Sequence, residues 1–284
     1  MLFEKIQLND REYVERTLKN DDVYWEFSFS CIYVWNYDKT FVAKNERFAL
    51  IYFDLGKKYL FLPPYLTDSC YLKDAVDEAY NHAKLNNVDF VMRGLTCEQT
   101  AILDGFKITT SRNDSDYIYD VLELSELKGK KFHAKRNFVN RFTSKNNYSF
   151  KMYEDCDYEK AVALCEKWLN EKESNATKEF LAIKKSLELH NDLGLKIGLL
   201  FVKEDLVALS ISDIASNGVA HTLFEKGDVN YEGVYQTINY LTAKELLVGC
   251  KFVNRQEDMG IEGLRKAKLS YNPVMLAEKY TITK

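Results

Sequence analysis

Apolar side chains recur along this chain in two alternating rhythms. Tyr158, Ala161, Val162, Cys165, Trp168 and Leu169 fall three and four residues apart, the spacing of one helix face, and Phe180, Ile183 and Leu187 repeat it. After 191–194 the period drops to two. Residues 195–202 and 219–225 form apolar runs, and between them Val207, Leu209 and Ile211 alternate with polar neighbours. Glu204-Asp205 and Ser216-Asn217-Gly218 punctuate these runs, and Asn-Gly between two apolar runs is a strong hairpin signal. The pattern predicts two helices and three antiparallel strands, then a helix over 233–248 with Val234, Ile238 and Leu241 on one face. A short strand over 251–254, a helix over 261–270 and, past Pro273, a closing strand over 280–282 complete the half.

The first half spells nearly the same order. Residues 8–18 are helical and an aromatic stretch runs to Tyr37; strands follow near 41–43, 48–53 and 59–62. Leu72, Ala75, Val76, Ala79, Tyr80 and Ala83 form a helical stripe. A strand over 88–92, a helix over 96–103 and closing strands over 106–122 complete this half. The repeat is one of element order rather than of sequence. That order, with the step Leu103-Asp104-Gly105-Phe106 from helix to strand, resembles the Gcn5-related acetyltransferase fold. The expectation is an α+β chain holding a tandem pair of such domains, each a mixed, mostly antiparallel sheet flanked by helices. The boundaries fall at 1–125, a connecting helix at 126–150, and 151–284.

Composition narrows the class. Hydrophobic residues make 46 % of 284, aromatics 14 %, and there are only 3 prolines, which excludes disorder. No apolar run approaches 18 residues and charges follow Met1 at once, so neither a membrane span nor a secretory leader is expected. The 6 cysteines are scattered without Cys-x-x-Cys or zinc-ligand spacing, which points to a reducing cytoplasm and no metal site. Motifs for serine hydrolases and nucleotide triphosphatases are absent. The aromatic stretch of Trp25, Phe27, Phe29, Tyr33, Trp35 and Tyr37 reads as core packing before it reads as a base-stacking platform.

Charge is segregated. The chain is net −4, yet Lys128, Lys130, Lys131, Lys135, Arg136, Arg141, Lys145 and Lys151 follow one another with no acid between them. With Phe132, Phe138 and Phe142 interleaved, the segment could neutralise several phosphates, or be a solvated helix paired with the acidic remainder.

The densest polar cluster runs over 254–271. Asn254, Arg255, Glu257 and Asp258 stand where a short strand ends, the side of an open sheet where ligands bind, with Gly260 and Gly263 allowing close backbone approach. Arg265 and Lys268 share a helix face beyond. Helix stabilisation explains Glu257, Asp258 and the Glu262/Lys266 pair, but not Asn254, Arg255 or the glycines.

The stretches 127–142 and 254–268, with Pro273, resemble the family related to the C-terminal domain of phosphatidylglycerol lysyltransferases. The resemblance covers nearly the whole chain and implies a tandem acetyltransferase-like fold with aminoacyl or acyl transfer. It assigns Lys130, Lys131, His133, Lys135, Arg136 and Arg141 to the phosphates of a carrier. Asn254, Arg255, Asp258, Arg265 and Lys268 fall to substrate. A carboxylate base would deprotonate the attacking amine, with Glu257 the first candidate and Glu225 the second; Tyr271 would be the acid, or simply core. No tightly bound cofactor is implied; acyl-CoA or aminoacyl-tRNA would serve as co-substrate and a small molecule or peptide as acceptor. The loop over 226–235, with Asp228 and Glu232, departs from the pyrophosphate loop of acetyl-CoA enzymes. A non-catalytic tRNA or carrier-binding module, or an ordinary acetyl-CoA-dependent N-acetyltransferase, are the alternatives.

Overall fold

The computed structural model describes residues 1–35, 39–170 and 176–284; Tyr37 lies outside them. The first half comprises β1 (Glu4–Lys5), α1 (Arg11–Arg16), α2 (Phe29–Val34), β2 (Thr40–Lys44), β3 (Phe48–Asp54), β4 (Lys58–Phe61), β5 (Tyr65–Leu66), α3 (Leu72–Leu85), β6 (Asp89–Leu95), α4 (Cys97–Ala101), β7 (Lys107–Thr110) and β8 (Asp116–Asp120). There follow α5 (Val121–Glu126), α6 (His133–Lys145), β9 (Tyr148–Met152), α7 (Tyr158–Asn170), α8 (Ala176–Glu188), β10 (Lys196–Val202), β11 (Asp205–Ile214) and β12 (Ala220–Gly227). The chain ends with α9 (Val234–Leu241), β13 (Phe252–Asn254), α10 (Glu262–Leu269), β14 (Met275–Ala277) and β15 (Tyr280–Thr283).

Two mixed sheets result. One runs β1-β2-β3-β4-β6-β15-β7, with β5 on β3, and the other β14-β8-β13-β12-β11-β10-β9. The strands expected to close each half are exchanged. β8 lies between β13 and β14 of the second sheet, and β15 between β6 and β7 of the first. Periodicity marks a strand but not the sheet it joins, and each exchanged strand covers an edge that would otherwise stay unpaired.

The halves also share a core. Phe29 and Ile32 of α2 are buried with Ala161 and Cys165 of α7, Ile183 and Leu187 of α8, and Phe224 of β12. Trp25, Tyr33 and Trp35 pack against the same cluster, so the described aromatics of this stretch are core. Fully burying such a side chain contributes about 1.5–3 kcal/mol. The basic helix α6 is part of the second half: Phe132 and Val139 are buried with Tyr119 and Val253, and Phe142 with Val234 and Ile238. The helix expected over 233–248 is α9 continued by a wider π-type turn, Thr242–Leu246. Among the described residues no helix is long and apolar enough to cross a membrane.

Candidate functional site

β12 and β13 run parallel but pair at only two positions, Ala220 with Val253 and His221 with Asn254. β12 then continues to Gly227 while the other chain turns away, and a cleft of about 340 Å³ opens between them. Its walls include Lys135 from α6, Glu225 from β12, Arg255, Gln256 and Glu257 from the turning loop, and Lys268 and Tyr271 from α10 and its end.

The turn is built by side chains that the sequence marks as candidates for substrate. Asn254 is fully buried: its amide donates to the Val23 carbonyl (2.7 Å) and to Asp116 Oδ2 (2.8 Å), while its oxygen accepts from the Gln256 N–H (2.6 Å). Asp258, also fully buried, accepts from the Gly260 N–H, from Tyr117 Oη (2.6 Å) and from both Nε (2.8 Å) and Nη2 (2.9 Å) of Arg265. The Arg265 hydrogen bonds, with Tyr117 and the Gly260 N–H, hold the Asp258 carboxyl far below the usual range. These partners let Gln256, Met259 and Gly260 sit at φ of 60°, 52° and 76°. Two non-glycine residues in the left-handed region within four positions are strained backbone. The Lys268 ammonium gathers the loop by donating to the carbonyls of Arg255 (2.6 Å), Gln256 (3.1 Å) and Glu257 (2.6 Å). Gln256 Nε2 spans the mouth of the wedge and donates to the Thr222 carbonyl (3.1 Å).

Charges line the floor in pairs. Glu225 binds the Arg255 guanidinium and accepts from Asn239 Nδ2 (3.3 Å). Burial opposes the Arg255 charge, but Glu225 together with Tyr119 and Tyr271 holds the guanidinium above its usual pKa. Glu257 accepts from Arg93 (3.2 Å), with Lys279 Nζ 3.8 Å away. Lys135, 9 % exposed, donates to the Ser270 hydroxyl (2.6 Å) and stands 3.9 Å above the Tyr271 ring, whose centre lies 5.0 Å from Arg255 Cζ. Burial, with Arg255 adding to it, lowers the pKa of Lys135 and of Lys268 to about 8. Burial pushes the Tyr271 hydroxyl up, so it keeps its proton while its ring carries two cations.

Of the six basic residues assigned to carrier phosphates, only Lys135 is among the residues lining the cleft. Lys131 pairs with Glu123 (2.6 Å), Arg136 donates to the Leu127 and Gly129 carbonyls, and Arg141 pairs with Glu232 (2.9 Å). Lys130 and His133 are exposed. Helical spacing turns one side chain in four inward, and here it is Lys135. Sequence reasoning passed over Gln256, an uncharged residue between two candidates, and also Arg93 and the buried group of Glu26, Asp116 and Lys279 behind Glu257, which no local pattern joins to the segment.

A second contact closes the start of α9. Gly233, at the start of α9, has φ 87°, and a side chain there would meet the Phe138 carbonyl of α6 at 2.5 Å. The Val234 N–H is already used by the Tyr231 carbonyl (3.1 Å). The helix start that offers amides to a pyrophosphate in acetyl-CoA enzymes is thus packed against α6.

Sheet order, the splayed parallel pair and the duplicated arrangement define a tandem pair of Gcn5-related acetyltransferase-like domains. The family described as "Phosphatidylglycerol lysyltransferase, C-terminal" matches residues 22–283, and the chain belongs to it; the family is one of aminoacyl and acyl transferases. A conserved protein of unknown function from Bacteroides thetaiotaomicron is 31 % identical, with 99 % of this chain and 98 % of that one covered at a TM-score of 0.89. L-PGS from Bacillus licheniformis shares the fold at a TM-score of 0.71 and 15 % identity, covering 97 % of this chain and 92 % of its own. An uncharacterized protein of Mycoplasmoides gallisepticum is 25 % identical over 177 residues, 60 % of this chain; the match spans 56 % of that relative's length.

Proposed function

We propose that this protein transfers an aminoacyl or acyl group from an activated carrier to an amine or hydroxyl of a small-molecule or peptide acceptor, in the cleft between β12 and β13. The observation that carries the reading is the set of Glu225, Arg255, Lys135 and Tyr271 on that cleft floor, within the fold of a transferase family. Arg255 supplies a fixed positive charge where an acyl oxygen develops negative charge, an effect strongest where water is excluded. Glu225 and Glu257 give the same floor two carboxylates able to hold an ammonium group.

Aminoacyl-tRNA is the favoured carrier. Against acyl-CoA stand the packing of Gly233 on α6 and the side chain of Gln256 across the wedge. On the outer face of α6, Arg141 and Lys145 remain 56 % and 66 % exposed although paired with Glu232. Surface pairs are worth only about 0–1 kcal/mol, so phosphates can displace Glu232.

The test is transfer itself. Purified protein is incubated with labelled aminoacyl-tRNA or acyl-CoA and with amine and hydroxyl acceptors, and the label that has moved from carrier to acceptor is separated and counted. Protein-dependent loss of label from aminoacyl-tRNA, salt-sensitive and abolished in Arg255→Met, is expected. Intact carriers under all conditions would refute the transferase reading, and consumption of acyl-CoA alone would refute the tRNA one.

A further inference from the structure

Three carboxylates and Lys135 line the cleft with the chemistry to take a proton from an attacking amine or hydroxyl: Glu179, Glu225 and Glu257 beside the lysine. Each carboxylate has a cationic partner. Lys226 pairs with Glu179 (2.6 Å), Arg255 and Asn239 hold Glu225, and Arg93, which also pairs with Asp114 (3.4 Å), holds Glu257 through one oxygen with Lys279 Nζ 3.8 Å from the other, so a proton on any of the three would weaken an ion pair already formed.

Lys135 is placed differently. Its only hydrogen-bond acceptor among the described residues is the uncharged Ser270 hydroxyl, and no carboxylate lies within ion-pair distance of it. The charged and titratable groups lining the cleft with it are Arg255 and Glu257 from the loop after β13, Lys268 and Tyr271 from α10 and its end, Glu225 and Lys226 from β12, Glu179 from α8 and Tyr235 from α9; Glu225 is held by Arg255, Glu257 by Arg93 and Glu179 by Lys226. Its own helix, His133–Lys145, contains no acid. Of the other two lysines lining the cleft, Lys268 uses its ammonium on three carbonyls and Lys226 pairs with Glu179 (2.6 Å), so neither is available.

We infer that Lys135, acting as a neutral amine, is the catalytic residue that accepts the proton of the attacking acceptor; the inference rests on the transferase reading above. A buried ammonium without a carboxylate, beside a guanidinium, is the arrangement that favours the neutral form, and the attraction of the Tyr271 ring for the cation opposes it only in part. The lowering of its pKa to about 8 agrees with this and leaves a usable neutral fraction near neutral pH. In the step, the acceptor N–H or O–H gives its proton to the Lys135 amine while the acceptor atom forms a bond to the carrier's acyl carbon. The bond from that carbon to the carrier oxygen then breaks, and the departing oxygen takes the proton back from Lys135. No oxidant, reductant or further reactant is needed.

The test compares wild type with Lys135→Arg, which keeps the positive charge but never loses its proton, and with Lys135→Met. Lys135→Arg is expected to bind carrier within a few-fold of wild type and to lose about 10²- to 10⁴-fold in kcat. Wild-type kcat should rise with pH through about 8, and both variants should lose that rise. Lys135→Arg retaining turnover within a few-fold would reduce Lys135 to a point charge and overturn the inference. A second arm needs no turnover: acetic anhydride labelling read by mass spectrometry should modify Lys135 with a midpoint near pH 8, and a midpoint near 10.5 would equally overturn it. A wild type that transfers nothing removes the transferase reading and this step together, whereas an active wild type with an active Lys135→Arg removes this step alone.

Discussion

Asp116, on the strand that the first half lends to the second sheet, and Lys279, one residue ahead of the strand lent in return, form an ion pair of 3.0 Å with both side chains fully buried. Glu26 completes it, accepting from the same ammonium at 3.0 and 3.2 Å. The pair therefore fastens both exchanged strands at one point, directly behind Glu257 of the cleft.

Lys279→Met leaves Glu26 and Asp116 in the interior without a counter-charge. Breaking a buried pair from one side costs about 3–5 kcal/mol. The urea midpoint should drop accordingly, with both halves unfolding in a single transition. Lys284→Met, at an exposed position, should shift it by no more than about 0.5 kcal/mol. Equal midpoints for the two variants would remove the strand-fastening role.

Glu26 titrates in an unusual range. Burial raises its pKa from 4.5 to about 7 against the pull of Lys279, and Asp116 and Glu257 add to the rise. Between those values the folded protein holds a proton that the unfolded chain has released. The stabilising contribution is thus full below about 4.5 and is lost as pH climbs through 7. Glu26→Gln has no such dependence, so its Tm relative to wild type should improve from pH 5 to pH 8. A Tm difference that stays constant across that range contradicts the assignment.

The elements that were legible in the sequence are those fixed locally. Helical stripes such as Leu72 to Ala83 and the hairpin at Asn217-Gly218 need only neighbours in the chain, and both stand in the structure. The destination of β8 and β15 was not legible, because pairing such as Tyr280 with Leu95 and Thr110 joins positions far apart in sequence. The site shows the same division. Arg255, Glu257 and Lys268 lie within one segment and reach one cleft. Asn254 and Asp258, equally polar on paper, spend every side-chain oxygen on tying the loop to itself, to Tyr117 of β8 and to Arg265 of α10, which only tertiary structure could show.

Gly233 holds α6 against α9. Its φ of 87° costs a residue with a Cβ about 1–2 kcal/mol, and that Cβ would stand 2.5 Å from the Phe138 carbonyl, so the helix must also move. Gly233→Ala is expected to lower stability by at least 2 kcal/mol, roughly the sum of strain and repacking. Gly218→Ala, also at positive φ but in open space, should cost only the strain. Chemical denaturation of the two variants separates the terms, and identical losses would mean that α6 yields without cost.

Lys268 links the cleft loop to the stability of the fold. Its ammonium serves three loop carbonyls, so Lys268→Met should cost about 1–3 kcal/mol at pH 7. Burial, then Arg255, lowers its pKa from 10.5 to about 8. Between these values the unfolded chain carries a proton that the folded protein has released, so stability contributed at this position rises with pH in that window. The advantage of wild type over Lys268→Met should therefore widen between pH 7.5 and 9.5. Staying below pH 10 keeps clear of the tyrosines, whose raised pKa values act with the opposite sign. Urea titrations at three pH values are sufficient. A gap that narrows as pH rises would show that the three hydrogen bonds, not burial, dominate the titration of Lys268.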